Sequence, residues 1–303
     1  NPQTGELLDP ESRRGGIMRS LDNNDFQAAN IEYIQFWVLD PFIGRPVADD
    51  GFLYINLGNI SEDILRDSRM LYENGLRQDS STLSRSTWGY TPTIPPINNA
   101  FDNDVNERTR QDVGFDGSTD GQEQSFFSGF SNWVQNNVQD QDIVTDILGD
   151  PSQDNYRWYR DVGFDQDETD VLVRYKDFNG PHGNSPVSDG SNSSSAQTNI
   201  PDSEDMNRDF TLNENEEYFQ YRVPLFKGMS AENHPYIVTQ EGPKSYNDQV
   251  NNILFEDITW YQFRIPIRDF DDKIGGIPDF NSIQFIRMFM TGFQDSVVLR
   301  FAE

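Results

Sequence analysis

The chain has 303 residues, with 23 Lys or Arg against 51 Asp or Glu, a formal charge of −28 and no cysteine. Phosphate binding needs basic surface, so this balance argues against nucleic acid as a partner; the missing thiols exclude disulfides, thiolate metal sites and cysteine nucleophiles. Only Lys176, Lys227, Lys244 and Lys273 are lysines, and so acidic a surface holds water and salt and keeps molecules apart, as suits a salty or calcium-rich environment.

Hydrophobic residues make up 35% of the chain, low for its length, but 22 Phe, 12 Tyr and 5 Trp supply a large apolar area each. That is enough for one core wrapped in long polar loops, and a single domain over residues 1–303 is expected, with a helical and loop-rich insertion over 61–215. No apolar run approaches the ~20 residues of a membrane helix, and the chain starts at Asn1 without a signal-peptide pattern. It therefore reads as an excised or processed fragment that is soluble alone and does not itself span a membrane.

The first strand signal is "IEYIQFWVLD" (31–40), apolar on both alternating faces, with Ile34, Phe36 and Val38 on one side and Ile31, Tyr33, Trp37 and Leu39 on the other. "GFLYINLG" (51–58) follows across a turn-rich link, with Leu53, Ile55 and Leu57 facing one way, and the two are expected to pair as an antiparallel hairpin. "SEDILRDSRMLYENG" (61–75) predicts a helix capped by Ser61, with Glu62 and Asp63 at its positive end and a stop at Asn74-Gly75. "QDVGFDG" (111–117) and "RDVGFDQD" (160–167) read as one turn used twice, Gly114 and Gly163 supplying unusual backbone angles and Phe115 and Phe164 plugging back into the core.

Further helices are expected over "EQSFFSGFSNWVQNNV" (123–138), where Phe126, Phe127, Phe130, Trp133 and Val134 form one face, and over "DIVTDILG" (142–149) before Asp150-Pro151. Residues 182–200 are a low-complexity flexible loop. Strands resume with "YFQYRVPLF" (218–226), "TWYQFRIPI" (259–267), "SIQFIRMFMTGF" (282–293) and "SVVLRFA" (296–302). The predicted fold is mainly β, a jelly-roll-like antiparallel sandwich in which the N-terminal and C-terminal blocks share one core.

Few residues suit catalysis. His182 sits in the low-complexity loop and His234 precedes Pro235, poor positions for a nucleophile's base. With 51 acids, some pair will always lie a suitable distance apart, so a carboxylate pair carries no information by itself, and no enzyme is expected. Calcium is different, because its hard oxygen ligands are what the chain has in excess. "DMNRDFTLNENE" (205–216) offers Asp205, Asn207 and Asp209 at loop positions 1, 3 and 5, the carbonyl of Thr211 at 7, Asn213 at 9 and Glu216 at 12. Its defect is Phe210, which stands where glycine normally makes the sharp turn. Residues 22–25 ("DNND") and 101–107 ("FDNDVNE") are weaker oxygen clusters. Tyr54, Trp88, Tyr90, Trp158, Tyr159 and Trp260 are candidate rings for stacking on sugars, which gives the alternative of a cell-surface carbohydrate-binding module.

Long ordered runs carry a resemblance: "GGIMRSLDNNDFQAANIEYIQFWVLDPFI", "LYINLGNISEDILRDSRMLYENG", "AFDNDVNERTRQDVGFDG", "DPSQDNYRWYRD", "RYKDFNGPHGNSP", "PDSEDMNRDFTLNENEEYFQYRV" and "WYQFRIPI". Together these segments resemble the SprA/Sov family, giant outer-membrane proteins of Bacteroidetes-type bacteria. The resemblance implies the type IX secretion system, whose protein-conducting barrel these proteins form and which gliding motility also needs. It further implies a large non-barrel segment in the cell envelope, attached to the outer membrane at its cell-surface or periplasmic face. Its partners would be the rest of the translocon barrel, associated proteins and secreted cargo. It assigns no catalytic residue and no ligand, so the calcium expectation rests on the residues alone.

Overall fold

The computed structural model describes residues 7–43, 50–63, 83–85, 90–93, 116–154, 162–170, 174, 204–209, 211–248 and 253–302. In chain order its elements are strands β1 (Arg14–Ser20), β2 (Tyr33–Leu39) and β3 (Gly51–Asn59), a small hairpin of β4 (Leu83–Arg85) and β5 (Tyr90–Pro92), and helices α1 (Asp120–Phe126), α2 (Ser128–Asn137), α3 (Gln141–Gly149) and α4 (Val162–Gln166). Strands β6 (Glu217–Leu225), β7 (Ile237–Asp248), β8 (Ile253–Pro266), β9 (Asp272–Ile274), β10 (Phe285–Thr291) and β11 (Phe301–Ala302) complete the chain. Contacts divide it into two units, one of residues 8–60 and 215–303, the other of residues 1–7 and 61–214.

The first unit is a β-sandwich. One sheet has the order β1-β10-β3-β6-β9 and the other β11-β2-β8-β7, every neighbour antiparallel. Alternation explains which residues meet between them. Leu53, Ile55 and Leu57 of β3 and Phe219, Tyr221, Val223 and Leu225 of β6 turn inward from the first sheet; Val38 of β2 and Tyr261, Phe263 and Ile265 of β8 turn inward from the second, all in one buried cluster. Tyr221 carries a hydroxyl into this cluster and satisfies it by donating to the Ile267 carbonyl at 2.5 Å, which avoids the cost of an unpaired buried polar group. The mainly β sandwich built from both ends of the chain agrees with the sequence expectation.

The strands differ from it in two respects. Residues 31–40 and 51–58 do not form a hairpin: β2 pairs with β8 and β11, whereas β3 pairs with β10 and β6 in the other sheet. Each is an interior strand with two partners, and the alternation that marks both as covered is silent on which strands cover them. The second difference is at the C-terminus, where only Phe301 and Ala302 of the expected 296–302 strand pair, with Val38 and Trp37.

β3 and β6 are direct neighbours, and their last paired residues are Asn59 and Glu217. The whole of 61–214 thus enters the sequence where a two-stranded antiparallel pair would otherwise need only a turn.

Within the second unit, Thr119 opens α1 with a capping box, its backbone N–H donating to Gln122 Oε1 at 2.9 Å. The expected single helix over 123–138 is two, α1 and α2, joined at Phe127, whose φ of −91° and ψ of 19° leave the helical region. Of the expected apolar face only Val134 is fully buried, while Phe126 is 53% exposed and carries the Arg85 guanidinium 4.2 Å above its ring. α3 starts at Asp140, whose carboxylate accepts from the N–H groups of Asp142 and Ile143. α1 is tied to α3 by Gln124, whose amide donates to the carbonyls of Leu148 and Gly149 at 3.1 and 3.2 Å, satisfying the end of α3. Residues 64–75 of the expected first helix and the loop 182–200 lie outside the described residues.

Candidate functional site

Two acidic constellations in the second unit follow from this framework. The first gathers around Glu62, which is fully buried. Its Oε1 accepts from the N–H of Met206 at 2.7 Å and of Asn207 at 3.4 Å, and its Oε2 from the N–H and side-chain amide of Asn213 at 3.3 and 2.8 Å. The Glu62 N–H in turn donates to the Asn213 carbonyl at 2.9 Å. Burial raises the pKa of Glu62, and the hydrogen bonds from Met206 and Asn213 oppose that rise.

The loop expected to hold calcium is therefore wrapped on a carboxylate. Its own side-chain oxygens accept from its own donors: Asp205 Oδ1 and Asn207 Oδ1 from the Asp209 N–H at 3.0 and 3.1 Å, Asp209 Oδ1 from the Thr211 N–H and hydroxyl at 2.9 and 2.6 Å, and Asp209 Oδ2 from the Asn207 amide at 2.9 Å. The bonds from the Asp209 N–H to Asn207 and from the Thr211 N–H to Asp209 are Asx turns, which the same alternation of Asp and Asn favours. Arg208 takes the left-handed conformation, φ 58°, and Phe210 lies outside the described residues. Glu216 belongs to the sandwich, where Arg287 Nη1 and Nη2 donate to its two oxygens at 3.0 and 3.1 Å. That bidentate pair is the geometry in which a guanidinium holds a carboxylate best.

The second constellation brings together residues that sequence reasoning did not single out. Asp116 precedes α1, Glu123 lies on it, and Asp154 follows α3; one ligand oxygen from each lies within 4.8 Å of the others. Glu123 is 1% exposed and Asp154 4%. The backbone holds each carboxylate by one oxygen. Asp154 Oδ2 accepts from the Asp116 N–H at 3.0 Å, Glu123 Oε2 from the Ser152 N–H at 3.0 Å, and Asp116 Oδ1 from the Ser118 N–H at 2.7 Å, while Asp116 Oδ2 meets the Ser152 hydroxyl at 3.3 Å. The remaining oxygens, Glu123 Oε1 and Asp154 Oδ1, are buried without a hydrogen-bond partner, as is the Ser118 hydroxyl. Burial, reinforced by the charges of Asp116 and Asp150, pushes Glu123 up to about 7 and Asp154 up to about 8. A signal for this group did exist in the acid-and-turn stretches "FDGSTDGQE" and "DPSQD", but their meeting is tertiary and no local spacing encodes it.

The other candidates fall as follows. His234 is 4% exposed, with Nε2 donating to the Pro224 carbonyl at 2.8 Å and Nδ1 accepting from the Tyr236 N–H at 3.1 Å. Both ring nitrogens are engaged, and burial lowers the pKa. Gly163 is helical within α4 and is absent from the glycines of positive φ, so the second copy of the repeated stretch is a helix and not the expected turn. Phe164 there has Arg174 5.8 Å from its ring centre. In 22–25, Asp25 Oδ1 accepts from the Ala28 N–H at 2.8 Å, as a turn residue does. Tyr54 stacks face to face on Phe289 at 4.9 Å, so that each ring covers a face of the other. A cavity of about 500 Å³ in the sandwich is lined by Phe26, Ile31, Tyr33, Ile267 and Phe280, but Phe26 and Phe280 are buried and offer no platform. Trp260 is half-buried and Tyr90 lies under the Arg85 guanidinium, 4.7 Å from its ring centre. His182, Trp88, Trp158, Tyr159, Gly114, Phe115 and residues 101–107 lie outside the described residues.

Among the described residues no helix is long and apolar enough to cross a membrane. Residues 129–303 match the model of a family described as motility related/secretion protein. No curated protein matches the chain.

Proposed function

We propose, from the premise that the chain belongs to the SprA_N family of motility-related secretion proteins, that it is a non-enzymatic accessory domain of the type IX protein translocon of the outer membrane. In this reading it sits in the cell envelope and supports protein export and gliding motility. Its partners are the rest of the translocon barrel, associated proteins and secreted cargo. The family match carries the proposal; it runs from α2 through the last strand and so takes in the C-terminal strands of both sheets.

Two observations favour a role in contact rather than in chemistry. His234 is buried with both nitrogens engaged, and Glu123 and Asp154, at 1% and 4% exposure, are closed to a substrate. The charge of −28 disfavours nucleic acid and keeps copies apart, which suits a module held at a crowded membrane by its parent chain. Deleting residues 1–303 in frame from the parent protein tests the reading. Export of secreted cargo and gliding should fall while the barrel still inserts; normal export by a correctly inserted deletion protein would refute the proposal.

A further inference from the structure

We propose that Asp116, Glu123 and Asp154 form a calcium site that closes the segment 116–154 on itself. The inference is independent of the secretory role. It starts from the two carboxylate oxygens, Glu123 Oε1 and Asp154 Oδ1, that are buried without a hydrogen-bond partner on side chains 1% and 4% exposed. Folded chains rarely leave such atoms bare, and each instance needs a physical reason. Here the other oxygen of both carboxylates is fixed by a backbone N–H, from Ser152 and Asp116 respectively. A carboxylate gripped at one oxygen by the backbone presents the second in a set direction, as a ligand needs.

The spacing fits an ion of calcium's size. Two oxygens each about 2.4 Å from one cation lie at most 4.8 Å apart, the distance within which the three ligand atoms fall. Three carboxylates without a cation repel one another, and a divalent ion reverses that. Ligand chemistry selects among ions. Zinc prefers nitrogen and sulfur, and the group has neither. Magnesium keeps several waters and a strict octahedron, for which a site with Glu123 and Asp154 nearly closed to solvent leaves little room. Calcium accepts irregular sets of carboxylate, carbonyl and hydroxyl oxygen, and the Ser152 hydroxyl already lies 3.3 Å from Asp116 Oδ2.

The consequence is mechanical. Asp116 lies before α1 and Asp154 after α3, so a shared ion fastens both ends of the helical segment to the Glu123 turn of α1. Loss of the ion then frees both ends together.

The test uses the full 303-residue chain, stripped with EDTA and titrated with calcium chloride by calorimetry, with thermal unfolding and amide hydrogen exchange in parallel. Calcium should raise the unfolding midpoint, EGTA should reverse the rise, and equal magnesium chloride should do far less. Glu123→Gln and Asp154→Asn keep an oxygen for the backbone N–H and add no charge, so both should fold without calcium, and each should weaken calcium binding by about 10-fold to 100-fold. Asp205→Asn with Asp209→Asn should leave binding intact. In the unaltered chain, calcium should slow exchange at amides of 116–154, a readout that needs no variant. The proposal fails if the chain ignores calcium, if Glu123→Gln and Asp154→Asn bind as well as the parent, if binding is lost with Asp205→Asn and Asp209→Asn instead, or if protection appears elsewhere than 116–154.

Discussion

Glu62 and Asn213, 151 residues apart, hold each other by three hydrogen bonds: the Glu62 N–H donates to the Asn213 carbonyl, and the N–H and amide of Asn213 donate to Glu62 Oε2. They stand at the two ends of the 61–214 unit. The unit is thus closed at its own base by a buried carboxylate, a residue that is costly to bury unless hydrogen-bonded from several sides.

Removing that carboxylate should open the base without unfolding the sandwich. Glu62→Ala leaves the buried donors of Met206 and Asn213 without an acceptor, at a cost of about 1–3 kcal/mol, whereas Glu62→Gln keeps one acceptor oxygen and should lose less. Hydrogen exchange at the Met206, Asn207 and Asn213 amides reads the effect directly. Unchanged protection of these amides in Glu62→Ala would mean that the hydrogen bonds at Glu62 do not hold the loop.

The pairing of Asn59 with Glu217 predicts that the sandwich stands alone. Joining residue 60 to residue 215 through a short Asn-Gly turn replaces the second unit by the connection that an antiparallel pair ordinarily has. This shortened chain should give a β-type far-ultraviolet spectrum and one cooperative melt. A broad, non-cooperative melt would show that the sandwich needs residues 61–214.

The converse truncation should be fatal. Residues 8–60 supply β3, flanked by β10 and β6 in one sheet, and β2, flanked by β8 and β11 in the other. Their removal strips Leu53, Ile55, Leu57 and Val38 from the shared core and opens new edges in both sheets. The remaining chain should lose its cooperative sandwich melt, and an unchanged midpoint would disprove the shared core.

What could be read from the sequence was what depends on period. Leu53, Ile55 and Leu57, or Phe263 and Ile265, point inward because alternate residues share a face, and that needs no partner to be known. Pairing is not periodic, and so β2 and β3 looked like a hairpin. Three edge strands of the sandwich, β1, β7 and the three-residue β9, carry no such periodic signal. β1, "RGGIMRS", has no apolar stripe, being exposed over most of its length. β7 contains Gly242-Pro243, which reads as a turn but forms a bulge on an edge strand, where proline's missing N–H does no harm. Gly242 has a φ of 116°, and a Cβ there would collide with the Ile258 carbonyl. The acidic sites divide in the same way. The alternation in 205–216 is visible because it is local, but Asx turns and calcium loops share it. Asp116, Glu123 and Asp154 were three acids among 51 until the chain folded.

His234 makes stability depend on pH, with a sign set by its surroundings. The ring packs against Phe263, edge to face at 5.1 Å, and Phe226, with its Nδ1 facing the Tyr236 N–H. Protonation would place an N–H at Nδ1 against another N–H and put a charge among rings, so burial holds the folded pKa below the ordinary histidine value. The unfolded chain then takes up the proton first as pH falls. The contribution is therefore intact above the unfolded pKa of about 6.5 and is lost progressively as pH drops below it, until the folded ring protonates as well. His234→Gln can still donate to the Pro224 carbonyl but does not titrate. It should be less stable than the parent at pH 7.5 by about 1–3 kcal/mol, and the gap should narrow by about pH 5.5. Urea unfolding of both proteins at each pH measures this as a difference, so the titration of the many surface carboxylates cancels. A gap that stays constant from about pH 7.5 to 5.5 would mean that the buried ring binds its proton as readily folded as unfolded.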